Sequence, residues 1–477
     1  MSERYVPRPG SIPTLGVPTL EGVRSAHLIG IGGAGMRNLA RLLLARGMEV
    51  TGSDLKDSDG LRELSALGAR VRVGHDAASL GRPDAVVISS AIAEDNPELM
   101  AARATGLPVW ARQQAIAAVA EAHRSIAVAG TTGKTTTTSM IATVLEREGL
   151  EPTYLIGGDL NESGSGAKAG TGDLFLFEAD ESDGSFLLTD PAIGVVTNIE
   201  LDHVDFYPGG AEELRMAFAD FCARSGQVVI CGDDAGARDA VSLAGVAAIR
   251  YGTAADADVR LTIATPGPGG ASGSLLVAGV EVPLSLRIDG AHNLLDAAAA
   301  VAVSELVGIP ASDAARTLAS FAGVHRRFEE RGRVRGAAFF DDYAHVPTEL
   351  SVTLGVARAR RPGRLVAVFQ PHRYSRTQAL WRELGAALTG ADLVVVTDVY
   401  GANQEPIPGV TGALVVDGVR AAAPDREVVY APHREDAIAL LTREVRDGDL
   451  VMTLGCGDIW MVADAALARI READDRA

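Results

Sequence analysis

The chain has 477 residues, which is too long for a single hydrophobic core and predicts two to four domains. Its net charge of −18 disfavours nucleic acid or an anionic membrane as the main partner, because both require a basic surface. The three widely spaced cysteines, Cys222, Cys231 and Cys456, fit no metal-binding pattern, and no apolar run approaches the roughly 20 residues of a membrane helix. These features predict a soluble protein of the reducing cytoplasm.

A flexible tail over 1–20 precedes the first of three blocks in which apolar strands alternate with helices. In this first block a predicted strand over 26–31 leads through the turn Gly30-Ile31-Gly32-Gly33-Ala34-Gly35 into a helix that reaches Arg46, and the next strand ends at Asp54. The result is a GxGxxG motif with an acidic residue about 20 positions further on. That combination is typical of a dinucleotide-binding loop.

The second block begins with the apolar run over 125–129, followed by Gly130-Thr131-Thr132-Gly133-Lys134-Thr135. A strand that turns through two glycines into a helix presents backbone N–H groups to phosphates. Lys134 is one of only three lysines in an arginine-rich chain, which supports a phosphate-binding role. Thr135 supplies the hydroxyl that binds the magnesium ion of a nucleotide. Val128 occupies the first glycine position of the full motif, so the loop matches the short form.

Two polar segments follow later strands of the second block and contain candidate metal ligands. Glu178 opens the segment EADESD, which has four acids in six residues, after a predicted strand over 173–177. Carboxylates at such a strand end can bind magnesium, and a solvated acidic loop fits the pattern equally well. His203 follows a predicted strand over 193–197, as either a metal ligand or a turn histidine.

The remaining elements complete an α/β pattern with mainly parallel sheets. A further strand is predicted over 227–231, and the alternating, glycine-rich stretch over about 249–288 predicts antiparallel strands inserted in the same domain. An alanine-rich helix is predicted over 292–307. The third block begins near Glu330, with predicted strands over 337–340, 365–369, 393–397 and 450–454.

Polar clusters at the predicted strand ends of the third block indicate a ligand-binding edge. Asp341-Asp342-Tyr343-Ala344-His345 ends one strand, and Gln370-Pro371-His372-Arg373-Tyr374-Ser375-Arg376 ends the next. Arginines in such positions can bind a carboxylate or phosphate through two N–H groups. In the second block, Asn293 lies at the start of the alanine-rich helix, where it can cap the helix or bind a ligand. Arg326-Arg327 is either a directed arginine pair or part of a charged loop.

Taken in order, these segments resemble the motifs of the Mur ligases of peptidoglycan synthesis. The motifs that carry the resemblance span almost the whole chain: HLIGIGGAGM (27–36), GTTGKTTTT (130–138), EADESDGSF (178–186), TNIELDHVD (197–205), GVHRRFE (323–329), DDYAHVPTE (341–349) and QPHRYSRT (370–377). The resemblance changes the interpretation of the first glycine loop. In this family that loop binds the pyrophosphate of a UDP-sugar and not a nicotinamide dinucleotide.

The resemblance implies a three-domain α/β protein. Its parts are a Rossmann-like UDP-sugar-binding domain over 21–122, a central P-loop ATPase-like domain over 123–329, and a Rossmann-like C-terminal domain over 330–477 that closes over both with the amino acid. The motifs are most like those of the branch that uses ATP and Mg²⁺ to join L-alanine to the carboxylate of UDP-N-acetylmuramate through an acyl phosphate. We expect only these small-molecule partners, and a monomer or homodimer.

The resemblance also implies roles for individual residues. It places ATP on Gly130, Thr131, Thr132, Gly133, Lys134, Thr135, Thr136, Asn293, Arg327, Asp342 and Tyr343. It places the UDP-sugar and the amino acid on Gly32, Gly33, Ala34, Gly35, Asp54, Ser89, Ser90, His345, Arg373 and Arg376. It places Mg²⁺ on Thr135, Glu178 and His203. The predicted catalytic residues are Lys134, Glu178, His203, His345 and Arg373, with His345 as the candidate base for the alanine amine.

Five positions depart from the usual family pattern. Arg37 and Asn38 stand where serine and glycine are usual in the first loop. Val346 stands where a second histidine is usual, and Asp296 where asparagine is common. Cys456 replaces the usual alanine of the last glycine turn, which we interpret as a packing change.

Three other functions remain open. The nearest is a recycling ligase that joins a murein tripeptide to the same UDP-sugar. The others are a nicotinamide-dependent oxidoreductase that uses the first glycine loop, and a nucleotide-binding sensor that has lost catalysis. Several family members carry a carbamylated lysine after the TNIELDHVD segment. The lack of any lysine between 203 and 227 agrees with the alanine-adding branch.

Overall fold

The computed structural model describes residues 16–89, 91–161, 164–200, 206–267, 269–402 and 404–475. The chain forms two compact units, one made of Met1–Thr265 and Ala271–Ala322 and the other of Pro266–Gly270 and Gly323–Ala477. Within the described residues, no helix combines the length and the apolar character that crossing a membrane requires.

The first sheet of the first unit is an open parallel sheet with helices between its strands. Its elements are β1 (Ser25–Ile29), α1 (Ala34–Ala45), β2 (Glu49–Asp54), α2 (Asp59–Ala66), β3 (Arg70–Val73), β4 (Ala85–Ile88), α3 (Pro97–Ala104), β5 (Val109–Ala111) and α4 (Arg112–Glu121). The strand order is β3-β2-β1-β4-β5, with every pair parallel. Strands β2 and β3 lie on one side of β1, and β4 and β5 lie on the other. The strand order therefore reverses between β1 and β4, and their carboxyl ends open a crevice at the first glycine loop.

The second sheet of the first unit has ten strands. Its elements are β6 (Arg124–Ala129), α5 (Lys134–Arg147), β7 (Thr153–Leu155), β8 (Ala167–Lys168), β9 (Leu174–Glu178), β10 (Ile193–Val196), α6 (Gly210–Arg224), β11 (Gln227–Cys231), α7 (Ala235–Ala244), β12 (Ile249–Gly252), β13 (Val259–Gly267), β14 (Gly270–Val277), β15 (Val280–Leu286), α8 (Ala291–Leu306) and α9 (Ala311–Leu318). The strand order is β15-β14-β13-β12-β11-β10-β6-β9-β7-β8. The β14–β15 and β7–β8 pairs are antiparallel.

Strand β6 lies between β9 and β10 and pairs in parallel with both. The carboxyl ends of these three strands therefore meet at one edge, where the phosphate-binding loop begins. Helix α8 packs against α5, the helix that follows this loop. The run Ala297–Ala302 is no more than 1% exposed, and its small side chains let α8 lie close to its neighbours. The alanine-rich composition thus supplies the core behind the loop.

The second unit contains a six-stranded sheet. Its elements are β16 (Glu329–Val334), β17 (Ala337–Asp342), α10 (Pro347–Ala359), β18 (Arg364–Phe369), α11 (Tyr374–Leu388), β19 (Leu393–Val396), α12 (Ala413–Ala422), β20 (Glu427–Tyr430), α13 (Arg434–Glu444), β21 (Asp449–Leu454) and α14 (Trp460–Asp475). The order is β16-β17-β21-β18-β19-β20; the β16–β17 pair is antiparallel and the other pairs are parallel. The carboxyl ends of β17, β21 and β18 therefore lie side by side.

The predicted α/β class and every predicted strand named above are confirmed, with ends shifted by one or two residues. Seven of the described strands were not predicted individually: β3, β4, β5, β7, β8, β16 and β20. Of these, the edge strands β16 and β20 are partly exposed and lack the continuous apolar run that identifies a buried strand. The antiparallel prediction for 249–288 holds for β14 and β15, whereas β12 pairs in parallel with β11 and β13.

Candidate active site

The loop between β6 and α5 has the strand-turn-helix geometry that the sequence predicts. Gly130 has φ +137° and Gly133 has φ +80°, which residues with a side chain rarely adopt. A Cβ at Gly130 would also lie 2.0 Å from Thr197 Oγ1. Asn198 fixes the loop: its carbonyl accepts the Thr131 N–H at 3.0 Å, and its Oδ1 accepts the Thr132 N–H at 2.9 Å. Asn198 was not among the predicted site residues.

Lys134 is held by a carboxylate that the sequence reasoning missed. Its Nζ donates to Glu181 Oε2 at 2.8 Å and Oε1 at 2.9 Å, and also to the carbonyls of Gly130 and Thr131. Burial lowers the pKa of Lys134, but the neighbouring carboxylates outweigh burial and raise it. Glu181 is 1% exposed, and burial raises its pKa to about 7 despite the lysine. In the sequence, Glu181 could be recognised only as one of the four acids of the EADESD segment.

Thr135 and Glu178 lie together, as predicted for metal ligands. Thr135 Oγ1 donates to Glu178 Oε2 at 3.2 Å, and the Gly157 N–H donates to Glu178 Oε1 at 2.7 Å. Both are hard oxygen donors, and Mg²⁺ in nucleotide sites takes further ligands from phosphates and water, so these residues fit the ion. The described part of the chain contains no group of three or more histidine, cysteine, aspartate or glutamate side chains that could hold a metal ion. His203, the third predicted ligand, lies outside the described residues.

Arg112 lies between the first glycine loop and the EADESD segment of the first unit. Its Nη2 is 3.8 Å from Asp180 Oδ2, and a Cβ at Gly35 would lie 2.0 Å from its Nη1. Burial raises the pKa of Asp180, but Lys134 and Arg112 outweigh burial and lower it. The sequence offered no motif for Arg112. It is recognised only because Arg112, the first residue of α4, contacts both the first glycine loop and the EADESD segment.

The first glycine loop is organised by Asp54. Asp54 Oδ2 accepts the Gly32 N–H at 2.9 Å, and Oδ1 accepts the Lys56 N–H at 3.1 Å. Gly33 precedes the first turn of α1, which begins with Ala34. The Ser89 N–H donates to the carbonyl of Ile29 at 3.4 Å, which brings β4 to this loop. Ser90 lies outside the described residues.

Asn293 and Asp296 support the phosphate-binding loop from α8. Asn293 does not cap the helix: its Nδ2 donates to the carbonyl of Asp289 at 2.5 Å, before the helix begins. Asp296 Oδ1 accepts from Thr137 Oγ1 at 3.1 Å and would lie 3.0 Å from a Cβ at Gly133. The aspartate at this position therefore anchors α5. Thr136, the remaining loop residue, is buried.

In the second unit, Arg326 and Arg327 form a directed pair. Arg326 Nε donates to Asp341 Oδ2 at 2.9 Å, and its Nη groups donate to the carbonyls of Gly455 and Gly457. The guanidinium of Arg327 lies 5.0 Å from the centre of the Tyr343 ring. Arg326 therefore ties β17 to the turn after β21, and Arg327 and Tyr343 face each other at the sheet edge.

Asp342 accepts hydrogen bonds from within its own unit. Its carboxylate accepts the N–H groups of Phe328 and Ala344, each at 2.8 Å, and the hydroxyl of Thr353 at 3.2 Å. Burial raises its pKa to about 6, although Arg327 opposes that shift. The carboxylate thus orders the segments on both sides of β17.

His345 is paired with Glu349. Its Nδ1 lies 3.2 Å from Glu349 Oε2, and its ring centre is 5.8 Å from that of His372. Burial lowers the pKa of His345, but Cys456 and Glu349 outweigh burial and raise it to about 10. Burial likewise raises the pKa of Glu349, whereas His345 lowers it, for a net pKa of about 2. At neutral pH His345 is therefore an imidazolium.

The His345–Glu349 pair predicts a pH-dependent stability. The raised His345 pKa contributes stability below pH 6.5 that is lost as pH rises towards about 10. The lowered Glu349 pKa contributes stability above pH 4.5 that is lost as pH falls towards about 2. Both contributions are fully present between pH 4.5 and pH 6.5. Glu349→Gln should therefore lower the melting temperature most in that range. The control Glu330→Gln disrupts only the surface pair with Arg333. A pH-independent difference for Glu349→Gln would contradict the assignment.

Arg373 and Arg376 occupy the start of α11, at the carboxyl end of β18. Arg373 has φ +67°, and its Nε is buried without a hydrogen-bond partner among the described residues. Arg376 is 7% exposed, and its Nη1 lies 3.2 Å from His372 Nδ1. Backbone strain and an unpaired buried donor are typical of a ligand-binding position.

The predicted residues that the structure describes thus form clusters within each unit. The first unit brings Lys134, Thr135 and Glu178 together at a helix N-terminus, an arrangement that can bind a triphosphate and a divalent cation. The second unit brings Tyr343 and His345 to one edge, with the arginines of α11 beside them. These cationic groups can bind a carboxylate.

Comparisons with known proteins agree with these clusters. The chain matches the models described as Mur ligase family, catalytic domain (residues 25–124), Mur ligase middle domain (128–304) and Mur ligase, glutamate ligase domain (326–457). It is 46% identical over 460 residues to a UDP-N-acetylmuramate–L-alanine ligase of Saccharopolyspora erythraea, with 93% of each chain covered.

Solved structures show the same fold. The chain is similar to a UDP-N-acetylmuramate–alanine ligase of Thermotoga maritima, with a TM-score of 0.81, 27% identity, and 94% of this chain and 99% of that chain covered. A murein peptide ligase of Psychrobacter arcticus is also similar in fold, with a TM-score of 0.71, 24% identity and the same coverage. The family matches, the identity and the fold lead to one conclusion: the chain belongs to the Mur ligase family.

Proposed function

We propose that the chain joins L-alanine to the lactyl carboxylate of UDP-N-acetylmuramate, with ATP as the energy source, during synthesis of peptidoglycan precursors. The cluster of Lys134, Thr135 and Glu178 carries the proposal, because it lies in the same compact unit as the UDP-sugar type of glycine loop. Relatives that are 41–46% identical over most of the chain bear the name of this activity. We assign the three domains to 21–122, 123–329 and 330–477.

The first half of the proposed reaction forms an acyl phosphate. A carboxylate oxygen of the sugar attacks the γ-phosphorus of ATP, and the bond to the β-phosphate oxygen breaks to release ADP. Both reactants are anionic, so Lys134 must neutralise charge along the line of attack. Thr135 and Glu178, with His203, are the residues that would hold Mg²⁺, which supplies further charge neutralisation when bound. Because Lys134 is paired with Glu181, the nucleotide phosphates must compete with that carboxylate for the ammonium group.

The second half of the proposed reaction forms the amide. The neutral amine of alanine attacks the acyl carbon, the bond from that carbon to the phosphate oxygen breaks, and inorganic phosphate leaves with the proton that the amine loses. His345 carries a charge at neutral pH, because its pKa is raised to about 10. We therefore assign it to binding an anionic group rather than to accepting the amine proton. Arg373 and Arg376 are assigned to the carboxylates of the substrates, and Arg327 and Tyr343 to the nucleotide.

The proposal predicts which amino donor supports turnover. Purified protein supplied with UDP-N-acetylmuramate, ATP and Mg²⁺ should release ADP when L-alanine is added, and a murein tripeptide should support little release. Mass spectrometry of the product should show the mass of UDP-N-acetylmuramate plus one alanine residue. Turnover with the tripeptide alone would replace this proposal with the recycling ligase. That second candidate has the fold of the Psychrobacter arcticus neighbour in its favour.

The same assay separates the remaining alternatives. A nicotinamide-dependent oxidoreductase would bind NAD without releasing ADP, and a sensor would bind ATP without turnover. We also propose that the protein acts in the cytoplasm, where ATP and UDP-sugars are present, as a monomer or homodimer. Sedimentation of the purified chain would decide between the two.

A further inference from the structure

Helix α1, which follows the first glycine loop, contacts the central domain through a buried side chain amide. Asn38 is 2% exposed, and its Nδ2 donates to the carbonyl of Ile156 at 3.0 Å. Its Oδ1 accepts from Arg41 Nη1 at 2.9 Å. A Cβ at Gly166 would lie 2.5 Å from Asn38 Nδ2, so the amide fills the space against this segment. Both ends of the Asn38 amide are therefore engaged, one of them across a domain boundary.

The residue after Ile156 contacts the candidate metal carboxylate. The Gly157 N–H donates to Glu178 Oε1 at 2.7 Å, and a Cβ at Gly157 would lie 2.8 Å from Glu178 Oε2. The peptide group between Ile156 and Gly157 thus accepts a hydrogen bond from Asn38 and donates one to Glu178. Because a buried carbonyl that loses its donor is costly to leave unpaired, removing the amide should shift this peptide group.

We propose that Asn38 is a positioning residue for the metal site, acting through the Ile156–Gly157 peptide group on the carboxylate of Glu178. Asn38 lies in the UDP-sugar domain, and Glu178 lies at the end of β9 in the ATP domain. The hydrogen bonds therefore join helix α1, which follows the first glycine loop, to the proposed metal ligand at the end of β9. The inference rests on the proposed metal-binding role of Glu178. It assigns a task to a position where the resembled family usually has glycine.

The test measures metal affinity and not turnover. Electron paramagnetic resonance of free Mn²⁺ reports its binding to the full chain in the presence of a non-hydrolysable ATP analogue. Asn38→Ala and Asn38→Asp both remove the donor, and the aspartate keeps the volume and an acceptor for Arg41. Both variants should bind Mn²⁺ about two- to tenfold more weakly, the range expected for one lost hydrogen bond. Binding of the analogue without metal should stay unchanged.

Two further variants separate the effect of Asn38 on Mn²⁺ affinity from the effects of a neighbouring contact and of the metal ligand itself. Arg37→Ser breaks the contact between Arg37 Nη2 and Asp159 Oδ2, at 3.6 Å in the same segment, and should leave Mn²⁺ affinity within about twofold. Glu178→Gln should weaken Mn²⁺ binding most. If Glu178→Gln weakens binding and the folded Asn38 variants do not, only the Asn38 proposal is overturned.

Three other outcomes would also overturn the proposed role of Asn38. Weak binding by Asn38→Ala with normal binding by Asn38→Asp would mean that Asn38 acts by packing alone, which overturns the proposal. Normal binding by Glu178→Gln would overturn the metal assignment and the Asn38 role that rests on it. A lowered melting temperature without a change in Mn²⁺ affinity would show a purely structural role and overturn the proposal as well.

Discussion

Lys134→Ala is expected to lower the turnover number for ADP release by about 10²–10³-fold, by analogy with the loss of one electrostatic contact to a developing charge. The lysine is the cation at the start of α5, and its partner Glu181 is almost fully buried. Without the lysine, Glu181 would take up a proton, since burial already raises its pKa to about 7. Steady-state kinetics with saturating ATP give the measurement.

Another of the three lysines of the chain provides a matched control. Lys168→Ala removes an exposed ammonium group that pairs with Glu146 at the protein surface. It should leave turnover within about twofold, because exposed ion pairs contribute little. Lys134→Arg tests the need for a compact charge, and we expect it to recover little activity. ADP release by Lys134→Ala at the wild-type rate would remove this residue from the mechanism.

Arg326→Ala is expected to lower the free energy of unfolding of the second unit by about 3–5 kcal/mol, the range for breaking one side of a buried ion pair. The Asp341 side chain is fully buried, and Arg326 is its charged partner. Arg326 also donates to two carbonyls of the turn after β21, which would lose their donors. Denaturant unfolding of the full chain, followed by a probe in the second unit, gives the measurement.

The control for this prediction lies on the neighbouring strand. Arg333 pairs with Glu330 at the surface, and its side chain is 63% exposed. Arg333→Ala should therefore change the free energy of unfolding by no more than about 1 kcal/mol. Equal losses for the two variants would show that Arg326 and Asp341 do not act as a buried pair.

The sequence predicted which residues lie near each other where a polar motif follows a buried strand. The carboxyl ends of parallel strands share one edge, so a motif after β6 and an acid after β9 had to lie near each other. Lys134, Thr135 and Glu178 were identified in this way, and the structure places the last two in hydrogen-bond contact. Three α/β blocks followed from the same alternation of strands and helices, and the resemblance to the Mur ligases implied that they form three domains.

Sequence reasoning could not identify partners that depend on side-chain packing. EADESD contains four acids, and nothing in their order reveals that Glu181 pairs with Lys134 while Glu178 contacts Thr135. Arg112 and Asn38 were missed or left without a role because their partners are far away in the chain. Their contacts depend on how two domains pack together, which no local pattern encodes.

The carboxylates around Lys134 would also protect its amine from reaction with the proposed acyl phosphate. Acyl phosphates acylate neutral amines, and the proposed reaction would form one close to this lysine. Because the carboxylates raise the pKa of Lys134, the neutral and nucleophilic form of its amine is scarce at physiological pH. In the proposed reaction, the charge that would stabilise the phosphates would thus also keep the intermediate from acylating Lys134, and would leave it to the amine of the amino acid.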